Sequence, residues 1–268
     1  MNVQEVFVPN SYPEHTYVRQ AEKDLETQLS RGLETPGEIV SLSVPSKSGK
    51  TVLVQNVVDQ ESLIIVQGSG INSPEKLWNM VLDELEAPST VEQTEGESIE
   101  DSSSITAGIR SMIPGLSGGV EGSLQTTLAQ ADETTETYSR EGLKEVVDFI
   151  ADNFILLIDD FHYIDREAQS DIAEEIKEGA RRDLSICVAL VPHRSDDLVR
   201  ANSDLRGRVQ TVDVGYWSEN DLQKIAEKGF DKLNVEFPEE VIHYLARESA
   251  GSPQLMQRLC LEACFVKD

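Results

Sequence analysis

No stretch of this 268-residue sequence reaches 18 consecutive apolar residues, so no helix of it is expected to span a membrane. The opening MNVQEVFVPN lacks the basic start and apolar run of a secretory signal, and a cytoplasmic location is expected. Basic residues are scarce. Against 49 Asp and Glu stand only 23 Lys and Arg, a net charge of −26. A surface this acidic repels a polyphosphate backbone, which disfavours nonspecific binding of DNA or RNA and leaves only a local basic patch for such contacts. Cysteine is rare too. Cys187 sits inside an apolar run, and Cys260 and Cys264 lie one helical turn apart. The four histidines (His15, His162, His193, His243) are scattered, so buried reduced thiols are expected rather than a metal centre. Hydrophobic residues at 39% suffice for one core with a smaller appendage.

Five short apolar runs, at 39–44, 63–67, 154–158, 186–191 and 209–214, have the look of buried parallel strands. Amphipathic stretches flank them: 21–31 before the first, 51–58 after it, a helix opened by Ser73 and Pro74, and 140–152 running into the third. The alternation predicts an α/β fold. Residues 88–139, rich in Ser, Thr, Glu and Gly and without a sustained period, read as an acidic insertion that is flexible or orders against a partner. Beyond residue 214 only helical patterns remain. Ser218 caps one helix with Asp221 three positions on, 239–249 forms a second, and a third opens at Pro253. The expected division is therefore a core over 1–214 and a small helical lid over 215–268.

The strongest chemical signal is SLSVPSKSGKTVLVQ, residues 41–55. A strand leads through a small-residue turn into Gly49-Lys50-Thr51 and a helix. Backbone N–H groups of Ser46, Lys47, Ser48, Gly49 and Lys50 are placed to wrap a phosphate, and the helix opening at Thr51 and Val52 turns its positive end toward it. Lys50 reaches the outer phosphates and the Thr51 hydroxyl holds magnesium. Where G-x-x-x-x-G-K-[ST] begins with glycine this chain has Val44, and Pro45 biases that residue toward an extended conformation. The second signal is FILLIDDFHY, residues 154–163, a buried strand ending in two carboxylates at the edge where open α/β sheets bind ligands. Asp159 is the candidate support for magnesium, and Asp160 the candidate for orienting or deprotonating an attacking water.

Together these motifs resemble the P-loop ATPases of the AAA+ and STAND superfamily. The resemblance implies a three-layer αβα P-loop fold with a five-stranded, mostly parallel sheet and a small all-helical lid, with ATP and magnesium as ligands. Thr16-Tyr17-Val18-Arg19 before an acidic segment is similar to the STAND motif that lies along the adenine, although its glycine is missing; it implies Tyr17 and Val18 as base contacts. Arg194, just past the fourth strand, matches the STAND arginine that senses the γ-phosphate, while the neighbouring His193 fits the polar residue of AAA+ relatives; the forked guanidinium favours Arg194. Arg208, with Arg206 as second choice, resembles the finger that AAA+ subunits donate to a neighbour, which implies a homo-oligomer. Gly251-Ser252-Pro253 is similar to the Gly-x-Pro of such lids, which places Pro253 near the base or sugar.

The function implied is a regulatory ATPase in which ATP binding and slow hydrolysis switch conformation or assembly, as in STAND relatives of prokaryotic defence and signalling. The winged helix or sensor repeats usual in those proteins are absent. The sequence is expected either to be part of a longer chain or to act with a separate effector or sensor protein. Two alternatives stand beside this reading. One is a DNA-associated AAA+ ATPase of origin-binding or transposition type, against which the charge of −26 counts. The other is a nucleotide-bound scaffold that hydrolyses nothing, for which Asp160 in place of glutamate leaves room.

Overall fold

The computed structural model describes residues 1–20, 22–85, 89–91, 136–138 and 140–267. Helices α1 (Val3–Val6) and α2 (Leu25–Glu34) precede strand β1 (Ile39–Ser43), which α3 (Lys50–Val57) connects to β2 (Leu63–Gln67) and α4 (Pro74–Glu84). Two three-residue strands follow, β3 (Ser89–Val91) and β4 (Glu136–Tyr138). Then come α5 (Arg140–Asn153), β5 (Ile155–Asp159), α6 (Gln169–Arg181), β6 (Ser185–Leu190), α7 (Asp197–Ala201) and β7 (Val209–Asp213). The chain closes with α8 (Glu219–Leu233), α9 (Glu239–Glu248) and α10 (Pro253–Lys267).

The main sheet has five strands in the order β2-β5-β6-β1-β7, every pair parallel. All five residues of β1 are buried, as a central strand covered on both faces requires. On one face α2 and α3 bring Leu25, Leu29, Leu33, Leu53 and Val54 against Val40, Leu42 and Val212. On the other, Trp78 and Leu82 of α4, Ile150 of α5, and Ile172 and Ile176 of α6 pack on Ile64, Val66 and Ile158. The result is three layers, helices on sheet on helices. The five apolar runs read from the sequence are these five strands, each within one or two residues of its expected bounds.

A third hydrophobic cluster lies off the sheet. Leu222, Ile225 and Phe230 of α8, Leu245 of α9, and Met256 and Cys260 of α10 enclose Val6, Phe7 and Val18 from the first residues of the chain. The helix starts follow local chemistry. Ser73 accepts a hydrogen bond from the Lys76 N–H before Pro74, and Ser218 accepts one from the Asp221 N–H. All three cysteines are buried, with no disulfide among the described residues, and burial pushes the thiols of Cys187 and Cys260 above the ordinary range.

Three elements differ from the sequence reading. The helix expected at 21–31 begins at Leu25 and runs to Glu34. Its expected first turn is used otherwise, because Lys23 Nζ donates to the carbonyls of Asp213 and Val214 at the end of β7. Helix α6 is absent from the helices read above, although Ile172, Ala173, Ile176 and Ala180 mark its buried face. Of the 88–139 segment, 89–91 and 136–138 form a parallel two-stranded pair; the expectation of a flexible acidic insertion otherwise lies outside the described residues.

Gly229 faces Phe7 so closely that a Cβ there would lie 2.2 Å from the ring's Cζ. Gly229→Ala is therefore expected to destabilise the protein in urea or thermal unfolding. In a Phe7→Ala background, itself costing about 3 kcal/mol, the same change should become neutral or stabilising, since alanine gains up to about 1 kcal/mol over glycine inside a helix. Additive effects of the two substitutions would contradict this packing.

Candidate functional site

The loop after β1 begins by continuing the sheet. Val44 is buried, and its N–H donates to the Leu190 carbonyl at 2.8 Å, one step beyond the β1–β6 ladder. The extended conformation that Pro45 imposes on its neighbour is used here to prolong a strand. The left-handed turn falls later, on Lys47 (φ 66°) and Gly49 (φ 88°). Glycine takes such a φ freely, whereas lysine there costs on the order of 1 kcal/mol. Gly49 is the N-cap of α3, so the turn delivers the chain straight into a helix whose first N–H groups point outward. The Ser48 N–H closes a turn on the Pro45 carbonyl. The amides of residues 46, 47, 49 and 50 make no hydrogen bond among the described residues and are the ones left to face an anion.

Strand β6 lies between β1 and β5, so the loop and the acidic strand end are next-but-one neighbours along one sheet edge. Lys50 spans that gap. Its Nζ lies 2.6 Å from Asp159 Oδ1 and donates a hydrogen bond to Asp160 Oδ1. Burial disfavours the ammonium, but the two carboxylates outweigh it and hold Lys50 above the ordinary lysine value. Asp160 itself adopts a left-handed conformation (φ 54°) that ends β5 and starts a short 3-10 turn at Phe161–Tyr163. Gly68 makes this possible. A Cβ at residue 68 would sit 2.4 Å from the Asp160 carbonyl oxygen, and the Gly68 N–H donates to the Asp159 carbonyl at 2.7 Å. His162, half-buried, is held below the usual histidine value by burial first, with Lys50, Arg194 and His193 adding positive field and Asp160 opposing it.

A cavity of about 670 Å³ opens beside the loop. Lys47, Ser48, Gly49, Lys50, Thr51 and Val52 form one wall, and Tyr17, Val18 and Pro253 form others. Residues expected at the two ends of a nucleotide thus border one space. Ser46 is exposed and does not line it, and the acidic pair and Arg194 stand outside it. Arg194 follows β6 on the same edge as Lys50, one-third exposed, with Asp197 at 3.4 Å. Arg206 and Arg208 are elsewhere. Arg208 precedes Val209, which pairs with Ile39 at the start of β1, whereas the loop follows Ser43, opposite Asp213. A full strand of five residues, about 16 Å, separates them from the phosphate loop of the same chain.

Several residues bordering this space carried no sequence signal. Tyr12 stacks near Tyr17, with ring centroids 6.2 Å apart and planes 14° from parallel, and its hydroxyl donates to Asn56. Gln257 of α10 is buried, accepts from the Val8 N–H and donates to Thr16 Oγ1, tying the N-terminal segment to the C-terminal helices. Trp217 and Ser252 reach the phosphate loop itself. Only contacts across 44 to 249 residues of chain reveal such roles.

The donor set suits a magnesium nucleotide. Asp159 Oδ1 is buried, with only the Lys50 ammonium beside it and no aligned hydrogen bond, and Ser48 Oγ is buried without a partner. Among the described residues no group of three or more His, Cys, Asp or Glu is set to cage a metal. No described helix is long and apolar enough to cross a membrane.

Since Lys50 is held above 10.5 only in the folded state, the stability it contributes is complete below that pH and is lost as pH rises through the folded value. Wild type and Lys50→Met, compared by urea unfolding from pH 7 to 12, should differ most at neutral pH, with the difference beginning to shrink only as pH passes about 10.5. A constant difference would show that the ion pair contributes nothing.

No family model matches the chain, and no curated protein is similar to it in sequence. Solved structures are similar in shape. A Walker-type ATPase of Pyrococcus abyssi, 15% identical, superposes with a TM-score of 0.62 over 93% of this chain and 69% of its own. Domain III of the Thermotoga maritima replication initiation protein DnaA gives 0.48 at 15% identity over 96% and 86%. The Thermotoga maritima RuvB Holliday junction branch migration motor gives 0.40 at 16% over 90% and 61%. The chain thus spans about two thirds of the Pyrococcus chain and less of the RuvB chain. Sheet order, strand-loop-helix and the overlay on the Pyrococcus structure agree: the chain has the P-loop fold of a Walker-type ATPase.

Proposed function

We propose that this chain is a regulatory ATPase of the AAA+ and STAND kind, which binds ATP with magnesium and hydrolyses it slowly to switch conformation or oligomeric assembly. The observation that carries the reading is Lys50, which begins the loop's helix and is held between Asp159 and Asp160 at the sheet edge, beside a cavity that extends to Tyr17, Val18 and Pro253. In this reading the phosphates lie on residues 46–51 and the base rests against Tyr17, Val18 and Pro253. Thr51 and Asp159 hold magnesium, which supplies neutralisation of the phosphate charge. Phosphates entering the loop draw Lys50 away from the acidic pair and release Asp160. Asp160 then takes a proton from water as the water oxygen bonds to the γ-phosphorus, and the bond to the β-phosphate oxygen breaks to leave ADP. Arg194 is placed on the sheet edge to sense the γ-phosphate.

Residues 215–268 serve as the lid, and Arg208 or Arg206 serves a neighbouring copy, since a strand's length keeps either from its own loop. The setting is a cytoplasmic one, with an effector or sensor protein as partner and prokaryotic defence or signalling as the context suggested by the STAND resemblance. The net charge of −26 counts against the DNA-associated alternative. The contact of Asp160 with Lys50 favours a second reading, a nucleotide-bound scaffold, because a paired carboxylate is a poor base.

Phosphate release from ATP and magnesium separates the two. The switch predicts a slow rate that Asp160→Ala lowers by at least tenfold, within the range typical of general-base loss; a scaffold releases none. Arg208→Ala and Lys50→Ala, each inactive alone, should regain part of the activity when mixed, because one supplies the finger and the other an intact site. Light scattering that shows only monomer with ATP and magnesium would defeat the assembly.

A further inference from the structure

The phosphate loop is gripped from behind by residues far from it in sequence. Trp217 Nε1 donates to the Ser48 carbonyl at 3.0 Å, and Ser252 Oγ donates to the Lys47 carbonyl at 3.1 Å. These are consecutive carbonyls of the turn whose left-handed residues are Lys47 and Gly49. A peptide unit turns its N–H and C=O to opposite sides, so fixing the Lys47 and Ser48 carbonyls also fixes the N–H groups of Ser48 and Gly49. The loop's own backbone adds the bond from the Ser48 N–H to the Pro45 carbonyl. Ser48 Oγ is buried without a partner, and Lys47 occupies a strained conformation that surrounding contacts must maintain.

The two gripping residues form one unit. The Trp217 backbone N–H donates to the Gly251 carbonyl at 3.1 Å, and a Cβ at Gly251 (φ 79°) would lie 2.9 Å from Tyr216 Cβ, so the segment before α8 and the turn before α10 are clamped together. Ser252 Oγ also accepts from the Leu255 N–H, which ties it to the first turn of α10. Pro253 Cγ stands 3.8 Å from where a Cβ on Gly49 would be. With the Gln20 amide turned to donate to the Val214 carbonyl, its Oε1 also lies 3.1 Å from Trp217 Nε1, so this one N–H is shared between the loop and the N-terminal segment.

We propose that Trp217 and Ser252 are positioning residues that preorganise the phosphate loop, so that affinity for a nucleoside di- or triphosphate depends on the docked position of the C-terminal helices. This rests on the nucleotide-binding reading above. Neither side chain needs to touch the nucleotide. Each acts by holding a carbonyl away from the phosphates, which the loop would otherwise have to arrange at the moment of binding.

The test uses the full chain with Trp217→Phe, which keeps a flat ring and removes the N–H, and with Ser252→Ala. Ligand-observed NMR titration with ATP, ADP and adenosine reads both tight and weak binding, and thermal unfolding without nucleotide reads fold integrity. Each variant should bind ATP and ADP about fivefold more weakly, the worth of one neutral hydrogen bond, with adenosine affinity unchanged. ATP affinity equal to wild type in both variants would overturn the proposal. So would an equal loss for ATP and adenosine, which would indicate general loosening of the cavity. If wild type itself binds neither ATP nor ADP, the nucleotide reading fails first, and that outcome is distinct from either of these.

Discussion

The site depends on one ammonium group held by two carboxylates across an intervening strand. Lys50 opens α3, Asp159 ends β5, and β6 separates them. In the proposed function a protein of net charge −26 draws a polyanion to itself, and at physiological ionic strength charges act over only about 8 Å. What matters is the sign of the field within that radius. There the loop offers Lys50, Lys47, open N–H groups and a helix N-terminus, while Asp159 and Asp160 balance them and keep the site near neutrality until a ligand arrives. In the proposed reading the global charge disfavours extended polyanions and leaves a compact phosphate group admissible.

Backbone strain falls on both sides of this interaction. Among the described residues five non-glycine residues have positive φ, and two of them flank it: Lys47 in the loop and Asp160 at the strand end. The other three, Asp183, Asn234 and Ala250, follow helix ends, where a left-handed residue is ordinary. Conformations worth of order 1 kcal/mol or more each persist only where neighbours overdetermine them. Gly68 allows the close approach at Asp160, and Ser252 bonds the Lys47 carbonyl. The site is therefore held from the sheet on one side and from the C-terminal helices on the other.

The N-terminal segment has a place in the same arrangement. Phe7 and Val6 are buried among α8, α9 and α10, and Gln257 reaches back to Val8 and Thr16. Val18 thus borders the cavity while belonging by packing to the helical cluster, whereas Tyr17 is joined to it through its carbonyl, which accepts from Lys228 Nζ of α8, and turns its hydroxyl to Glu26 of α2. A displacement of those helices carries with it the wall against which the base is proposed to rest.

The strands, their parallel character and the helices with Ser caps were legible in the sequence, because buried parallel strands are uninterrupted apolar runs and caps are local chemistry. The strand-loop-helix that carries Lys50 and the strand end that carries Asp159-Asp160 were legible as well, and the structure brings Lys50 to both carboxylates. The start of α2 was misread because Lys23 spends its hydrogen bonds on carbonyls 190 residues away, which no local pattern records. Val44 looked like a flaw in the loop, and only its bond to Leu190 shows it to be a strand residue, with the left-handed turn moved to Lys47 and Gly49. The sequence by itself determined which residues carry charge to the site and in what elements. Tertiary structure alone decided that Trp217, Ser252 and Tyr12 stand beside them and that Arg206 and Arg208 do not, since such proximities arise from strand order and helix docking rather than from spacing along the chain.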